Sequence, residues 1–144
     1  MIALRRAEFA DAEFYVENMR ADDVHPRTAR QVKSAISVSA QAWCATLDGR
    51  PAALFGIARL APRAGALWLF TTRVCAERPL DFARDAPRVF EALKEGWDSL
   101  EGAAPVECKS ALMFQRRLGF RHDDELVEVG GRVCRRFWWV RDGT

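Results

Sequence analysis

Trp43-Cys44-Ala45-Thr46-Leu47-Asp48-Gly49-Arg50-Pro51-Ala52-Ala53-Leu54-Phe55-Gly56-Ile57-Ala58-Arg59-Leu60-Ala61 is the stretch that decides the fold. Two apolar runs, Trp43–Leu47 and Pro51–Ala61, flank Asp48-Gly49. Asp and Gly tolerate the positive φ angles of a two-residue hairpin turn, so the pattern predicts two antiparallel strands. Gly56 inside the second run predicts a bulge or a close approach of another group to the backbone.

Working outward, Pro62–Gly65 turns the chain into a further buried strand, Ala66–Thr72. On the N-terminal side, Ile2–Arg6 alternates apolar and polar residues and reads as a first strand. Ala12, Tyr15, Val16 and Met19 repeat at helical spacing, and Asp22-Asp23 and His25-Pro26 break that pattern. A second helix is predicted from about Thr28 to Ala40, with Ala29, Val32, Ile36 and Ser39 on one face. Beyond the hairpin, Phe90, Leu93, Trp97 and Leu100 define a long helix. Pro87 fits its first turn, where a missing N–H is harmless, and Asp85 is the natural N-cap. Gly102 and Pro105 should end this unit. Val106–Cys108 then reads as a short strand and Ala111–Leu118 as a short helix closed by Gly119. Two last strands, near Arg121–Val129 and Val133–Val140, are joined by Gly130-Gly131.

The resulting order, β-α-α-β-β-β-α-β-α-β-β, predicts an α/β fold, a mixed central sheet covered by helices. Residues 1–144 read as one domain. Hydrophobic residues make up 49% of the chain and charged residues 29%, a balance that excludes a disordered chain. A net charge of +2 gives no reason to expect nucleic acid or an anionic membrane as partner. No apolar run reaches the length of a membrane span, and Met1–Arg6 lacks the pattern of a secretory signal, which predicts a cytoplasmic chain or one carried inside a particle. Cys44, Cys75, Cys108 and Cys134 are widely spaced without a C-x-x-C pair and read as buried free thiols.

The element order resembles that of the GNAT acyltransferases, and three local matches carry the resemblance. Leu4-Arg5-Arg6-Ala7 followed by Asp11-Ala12 is similar to the family's usual beginning. Leu47–Gly56 resembles its second hairpin, and Phe114-Gln115-Arg116-Arg117-Leu118-Gly119-Phe120 its late helix. A narrower resemblance is to the phage internal virion protein branch of this fold, on Asn18-Met19-Arg20-Ala21-Asp22-Asp23 and on Phe82-Ala83-Arg84 before Pro87-Arg88, with Trp97 further on.

The resemblance implies helices on both faces of a twisted sheet. It also implies that acetyl-CoA, if used, would be held after the fourth strand, its pyrophosphate on backbone N–H groups at a helix N-terminus. Thr71, Thr72, Arg73 and Arg88 are the implied cofactor contacts. The family's Q/R-x-x-G-x-G/A pattern falls on Arg73–Arg78, where Ala76 and Arg78 stand in place of glycines. The connection reads as a long loop running to Asp85, whose carboxylate would meet the phosphate. The late-helix tyrosine that many members use as general acid falls on Gln115, which has no proton to give.

No catalytic residue is assigned. Asp22 and Asp23, near the implied acceptor site, read as turn formers. His122-Asp123-Asp124-Glu125 reads as a solvated strand start rather than a metal site, and His25 as an exposed loop residue. Cys75 has Arg73 and Arg78 near it in sequence, yet reads as an inert thiol. Arg116-Arg117 and Arg135-Arg136 read as surface cations, and of Trp138-Trp139 one indole points inward and one outward, the outward one either a protein contact or covered by the second helix. The sequence therefore predicts a GNAT-like fold with an eroded active site, no cofactor, and a binding or structural role beside a virion or host protein. The alternative is an active acetyl-CoA-dependent N-acetyltransferase with an atypical CoA loop.

Overall fold

The computed structural model describes residues 2–19, 28–106, 109–129 and 131–142. Its elements are β1 (Ile2–Arg6), α1 (Phe9–Glu17), α2 (Ala29–Val38), β2 (Gln41–Leu47), β3 (Arg50–Ala61), β4 (Ala64–Thr71), α3 (Arg73–Glu77), α4 (Pro79–Lys94), β5 (Ser99–Pro105), α5 (Lys109–Arg117), β6 (Arg121–Val129) and β7 (Arg132–Val140). The strands form a seven-stranded mixed sheet of order β1-β2-β3-β4-β5-β7-β6. The chain divides into two compact units, Met1–Ala58 with Leu67–Asp85, and Arg59–Ala66 with Ala86–Thr144.

In the first unit the hairpin forms as its sequence dictates. Asp48 and Gly49 take φ values of 52° and 76°, and Leu47 pairs with Arg50 across the turn. Cys44 lies opposite Leu54 and joins Ala12, Tyr15 and Val32 in one buried cluster. The alternate residues, Ala45 and Ala53, lie in a second cluster with Ile2, Leu47, Val74 and Cys75. Period-2 alternation thus places apolar side chains on both faces of β2 and β3, and both are buried. Thr28 caps α2 reciprocally: its Oγ1 accepts from Gln31 N–H, and the Gln31 side chain accepts from Thr28 N–H.

The second unit is built on stacked rings. Phe120 lies 4.7 Å from Phe90 and 5.0 Å from Phe137, and Trp139 meets Phe90 edge-on. Of the tryptophan pair, Trp139 therefore faces this ring cluster, and Trp138, its neighbour along β7, points to the opposite face of the sheet. β4 and β5 are adjacent and parallel, with Ala64–Ala66 paired to Ser99–Glu101. The α3 and α4 helices between them make the crossover that parallel neighbours require.

Several boundaries correct the sequence reading. The long helix begins at Pro79, so Asp85 is not its N-cap and Pro87 is interior. Pro79 is itself suited to the first helical position, and Asp81 in the first turn pairs with Arg78 and Arg84. Asp85 instead accepts the N–H of Ile2 at 2.9 Å. The helix ends at Lys94, followed by Gly96 at φ 88°. Leu100, which continues the helical spacing, belongs to β5. That strand is Ser99–Pro105 rather than Val106–Cys108, so Gly102 and Pro105 lie within it. Val106 follows it in a turn, and residues 107–108 lie outside the described set. The short helix α3 was not foreseen.

Arg141 ties the C-terminal end of α4 down. Its guanidinium donates to the carbonyls of Lys94 and Trp97 at 2.8 and 2.7 Å. Trp97 is buried at 2% exposure under the Arg59 guanidinium, and its indole N–H has no hydrogen-bond partner. Leaving such a donor unmet costs about 1–3 kcal/mol, comparable to the packing that a smaller ring would forfeit. Trp97→Phe should therefore change the unfolding free energy by no more than about 1 kcal/mol, measured by urea denaturation. A loss of several kcal/mol would show that the indole N–H is satisfied in solution.

Candidate functional site

Two places carry the side chains that the sequence singles out. The first is the β4–α3–α4 connection. Thr72 is fully buried and satisfied: its N–H donates to Ala52 O at 3.0 Å, and its hydroxyl donates to Pro51 O at 2.7 Å. The same oxygen caps α3 by accepting Val74 N–H at 3.2 Å. Arg73 donates its N–H to Asn18 O at 2.9 Å and its Nε–H to Met19 O at 3.2 Å. Cys75 and Ala76 N–H both turn back to Thr72 O, at 3.2 and 3.3 Å.

The helix start that should offer open N–H groups thus has its donors engaged within the chain. Thr71, Thr72 and Arg73 are contiguous here, whereas Arg88 is exposed in the second half of α4, in the other compact unit. The long glycine-poor loop expected up to Asp85 is replaced by two helices.

The junction of those helices is closed by charge. Arg78 donates to the Asp81 carboxylate at 2.7 Å and also to Asp48 in the hairpin turn, while Arg84 reaches Asp81 and Asp85. The Arg78 hydrogen bond, aided by the charges of Arg78 and Arg84, holds the Asp81 carboxyl below its ordinary range. A carboxylate therefore occupies the first turn of α4, and it is Asp81 rather than Asp85. The donor set does not fit a pyrophosphate: the α3 N–H groups are taken, and an anion already sits at the α4 start.

Cys75 is buried among Ile2, Val74 and their neighbours, and Cys44 is wholly buried, its thiol pushed up to about 12, chiefly by desolvation. Asp22, Asp23, His25 and Cys108 lie outside the described residues.

The second place holds Gln115. The late helix ends as its sequence demands. Gly119 takes φ 92°, its N–H bonds Arg116 O at 3.0 Å, and Phe120 N–H reaches back to Gln115 O at 3.0 Å. This is the paired closure of a glycine-terminated helix. It folds the start of β6 under α5, so that His122 Nε2 and Gln115 Oε1 come within 2.9 Å. A cavity of about 20 Å³ opens beside them, lined by Ala104, Pro105, Val106, Leu112, Gln115, His122 and Arg135. Burial, then the charges of Arg116 and Arg135, lower the His122 pKa from its ordinary value. Gln115 cannot serve as an acid, and the environment of His122 beside it disfavours the charged imidazolium. Sequence spacing gave no hint of this pair, because only the Gly119 reversal brings the two together. Among the described residues no three His, Cys, Asp or Glu side chains group as a metal site. No helix among them is long and apolar enough to cross a membrane.

Element order, the parallel β4–β5 pair and the sheet order together define a GNAT acetyltransferase fold. The chain is similar to the aminoglycoside acetyltransferase AAC(6')-Ib solved with coenzyme A, at 13% identity over 98% of this chain and 95% of the other, TM-score 0.73. It is also similar to a putative phosphinothricin N-acetyltransferase, at 18% identity over 97% and 98% of the two chains, TM-score 0.72. A GNAT-family acetyltransferase from Streptococcus pneumoniae matches at 14% identity over 98% and 100%, TM-score 0.62. At these identities the likeness establishes the fold. No family model and no curated sequence matches the chain.

Proposed function

We propose that this GNAT-fold chain has a binding or structural role that does not use acetyl-CoA. The engaged N–H groups of Arg73, Val74, Cys75 and Ala76 carry the reading. A pyrophosphate could take them only by displacing Asn18 O and the Thr72 cap, and at the start of α4 it would meet the Asp81 carboxylate. Two like charges about 4 Å apart repel by roughly 1 kcal/mol in water and by more in a partly desolvated cleft. The resemblance of Asn18–Asp23 and of Phe82–Arg88 to the phage internal virion branch supports placing the role in a phage particle or an infected cell, beside a virion or host protein.

The second reading is an active acetyl-CoA-dependent N-acetyltransferase, with Thr71, Thr72, Arg73 and Arg88 as its remaining cofactor contacts. The likeness to enzymes solved with coenzyme A favours it, although fold alone does not fix chemistry.

Isothermal titration with acetyl-CoA separates the two. The expected dissociation constant is about 1 mM or weaker, corresponding to roughly 4 kcal/mol of binding free energy or less. Micromolar binding would overturn the cofactor-free reading and put the transferase first.

A further inference from the structure

We propose that the sheet face around Trp138, made by β5, β7 and β6, docks an acidic segment of another protein that leads with an apolar side chain. By the two-residue period of β7, Arg136, Trp138 and Val140 point to one side, away from the ring cluster that Phe137 and Trp139 join. Directly paired residues share a face, so Glu101 of β5 and Arg121 of β6 flank Trp138, and Ala103 flanks Arg136. Trp138 is half-buried, whereas Glu101, Ala103, Arg121, Arg136 and Val140 around it are exposed. Among the described residues, the Trp138 indole N–H has no hydrogen-bond partner, and no acid pairs with the guanidinium of Arg121 or of Arg136.

Charge selects the partner. Arg5, Arg63 and Arg78 each reach a carboxylate within the chain, so the unmatched guanidiniums of Arg121 and Arg136 are set apart by their place beside the ring. Tryptophan and arginine carry much of the binding energy at protein interfaces, the ring by its area and the guanidinium by its planar fork of donors. Two guanidiniums against the single Glu101 carboxylate give the face a positive sign. A second copy of the same face would oppose that sign, and an acidic partner would complement it. Val140, 51% exposed, extends the apolar strip beyond the ring. A partner's apolar side chain therefore seats on Trp138 and Val140, while its carboxylates reach Arg121 and Arg136. A nucleic-acid strand fits less well, because its evenly spaced phosphates would also meet Glu101. The docking face rests on the binding role proposed above and gives it a surface and a class of partner. It lies on β5, β6 and β7, not on the β4–α3 connection, so titrations with acetyl-CoA and with an acidic peptide succeed or fail independently.

The test is nuclear magnetic resonance of the full chain at low salt, following the Trp138 indole N–H and the Arg121 and Arg136 Nε–H groups. The probes are the end-blocked pentapeptide Asp-Glu-Leu-Glu-Asp, its neutral analogue Asn-Gln-Leu-Gln-Asn, and a single-stranded oligothymidylate of the same charge as the acidic peptide. The acidic peptide should shift all three groups saturably, with a dissociation constant of about 1 mM that rises with added salt. The neutral peptide should leave them in place, and the oligothymidylate should bind more weakly. Replacing both arginines, Arg121→Gln with Arg136→Gln, should weaken peptide binding about tenfold, the combined scale of two exposed charge pairs. Glu101→Gln, which removes the one repelling carboxylate, should instead tighten it about twofold. The single arginine variants carry the test should the double variant fail to fold. No saturable shift, equal shifts with the neutral peptide, equal shifts at Arg116 and Arg117 of α5, or undiminished binding by the arginine variants would overturn the proposal. Tighter binding of the oligothymidylate would reassign the face to nucleic acid. A dimer in sedimentation velocity that Trp138→Ala dissociates would reassign it to a second copy of the chain.

Discussion

Gly56→Ala is expected to destabilise the chain by about 3 kcal/mol, at the upper end of what overpacking costs. A Cβ at this position would lie 2.5 Å from the Gln41 carbonyl oxygen and 2.7 Å from the Trp68 ring. Neither neighbour is free to yield. Gln41 is held in β2 by its pairing with Ile57. Trp68 donates its indole N–H to Ser39 Oγ at 2.7 Å and stacks 5.0 Å from Phe70, while Ser39 Oγ itself donates to Ala35 O. Relieving the clash therefore breaks a ring stack and a two-bond relay into α2. For a chain of this size, such a loss should lower the melting temperature by roughly 10 °C. Thermal denaturation measures it, and a shift under a degree or two would show that β3 has more room than the geometry allows. Adding Trp68→Phe, whose smaller ring vacates the contact, should recover part of the loss, a coupling that a double-mutant cycle reads directly.

Removing the Asp11 carboxylate should cost about 1–3 kcal/mol, the penalty for breaking a hydrogen-bonded charge pair with one exposed partner. Asp11 is 4% exposed, and its two oxygens accept from Arg5 at 2.7 and 2.8 Å. One of them also accepts the N–H of Glu8 at 2.8 Å, tying the entry of α1 to the end of β1. Burial works against ionisation here, yet the Arg5 hydrogen bonds, the Glu8 N–H and the Arg5 charge outweigh it and hold the carboxyl below its ordinary value. A depressed folded-state pKa stabilises the fold above the unfolded carboxylate pKa of about 3.9, and that contribution is lost as pH falls through the folded value. Asp11→Ala should therefore lower the urea midpoint near neutral pH and flatten the acid limb of the stability profile. An unchanged midpoint at pH 7 would mean that Arg5, with 41% of its side chain exposed, gives up the bond to water at no cost.

How far the sequence could be read depended on whether local chemistry or distant pairing fixed each element. Asp48-Gly49 and Gly119-Phe120 were legible because positive φ is a local demand that few residues meet, and both turns form as expected. Gly56 was legible as a close approach; the register shift in that pairing falls at Ala45/Thr46 instead. β5 was misread for a physical reason. Leu100 falls at helical spacing from Trp97, and Ser99-Leu100-Glu101-Gly102-Ala103-Ala104-Pro105 has little strand propensity of its own. It is a strand because β4 and β7 pair on either side, with Phe137 packed over Gly102, where a Cβ would lie 2.5 Å from the ring. Gly96 marked the true end of α4 and was the available signal. The start of α4 was hidden by Pro87, which suggested a first turn, while Pro79 is the proline that fills that role. Of the candidate site, Gln115 lies in the late helix that its spacing predicts, whereas Thr72, read as the end of the fourth strand, caps α3. What the sequence could not supply was which N–H groups were already engaged, or that His122 would face Gln115.

The sheet order leaves two strands with an open side, β1 and β6. An open side is a template on which a copy of the chain could add a strand and begin a fibre. β1 offers only five residues, two of them Arg5 and Arg6. β6 is longer and carries the half-exposed Leu126 and Val129, yet its pairing slips between His122 and Leu126, and Asp123, Asp124, Glu125 and Glu128 line it. Stacking copies along that side would bring these carboxylates into register against one another. The acidic run that reads as a solvated strand start thus sets like charge along the side on which a copy of the chain would add.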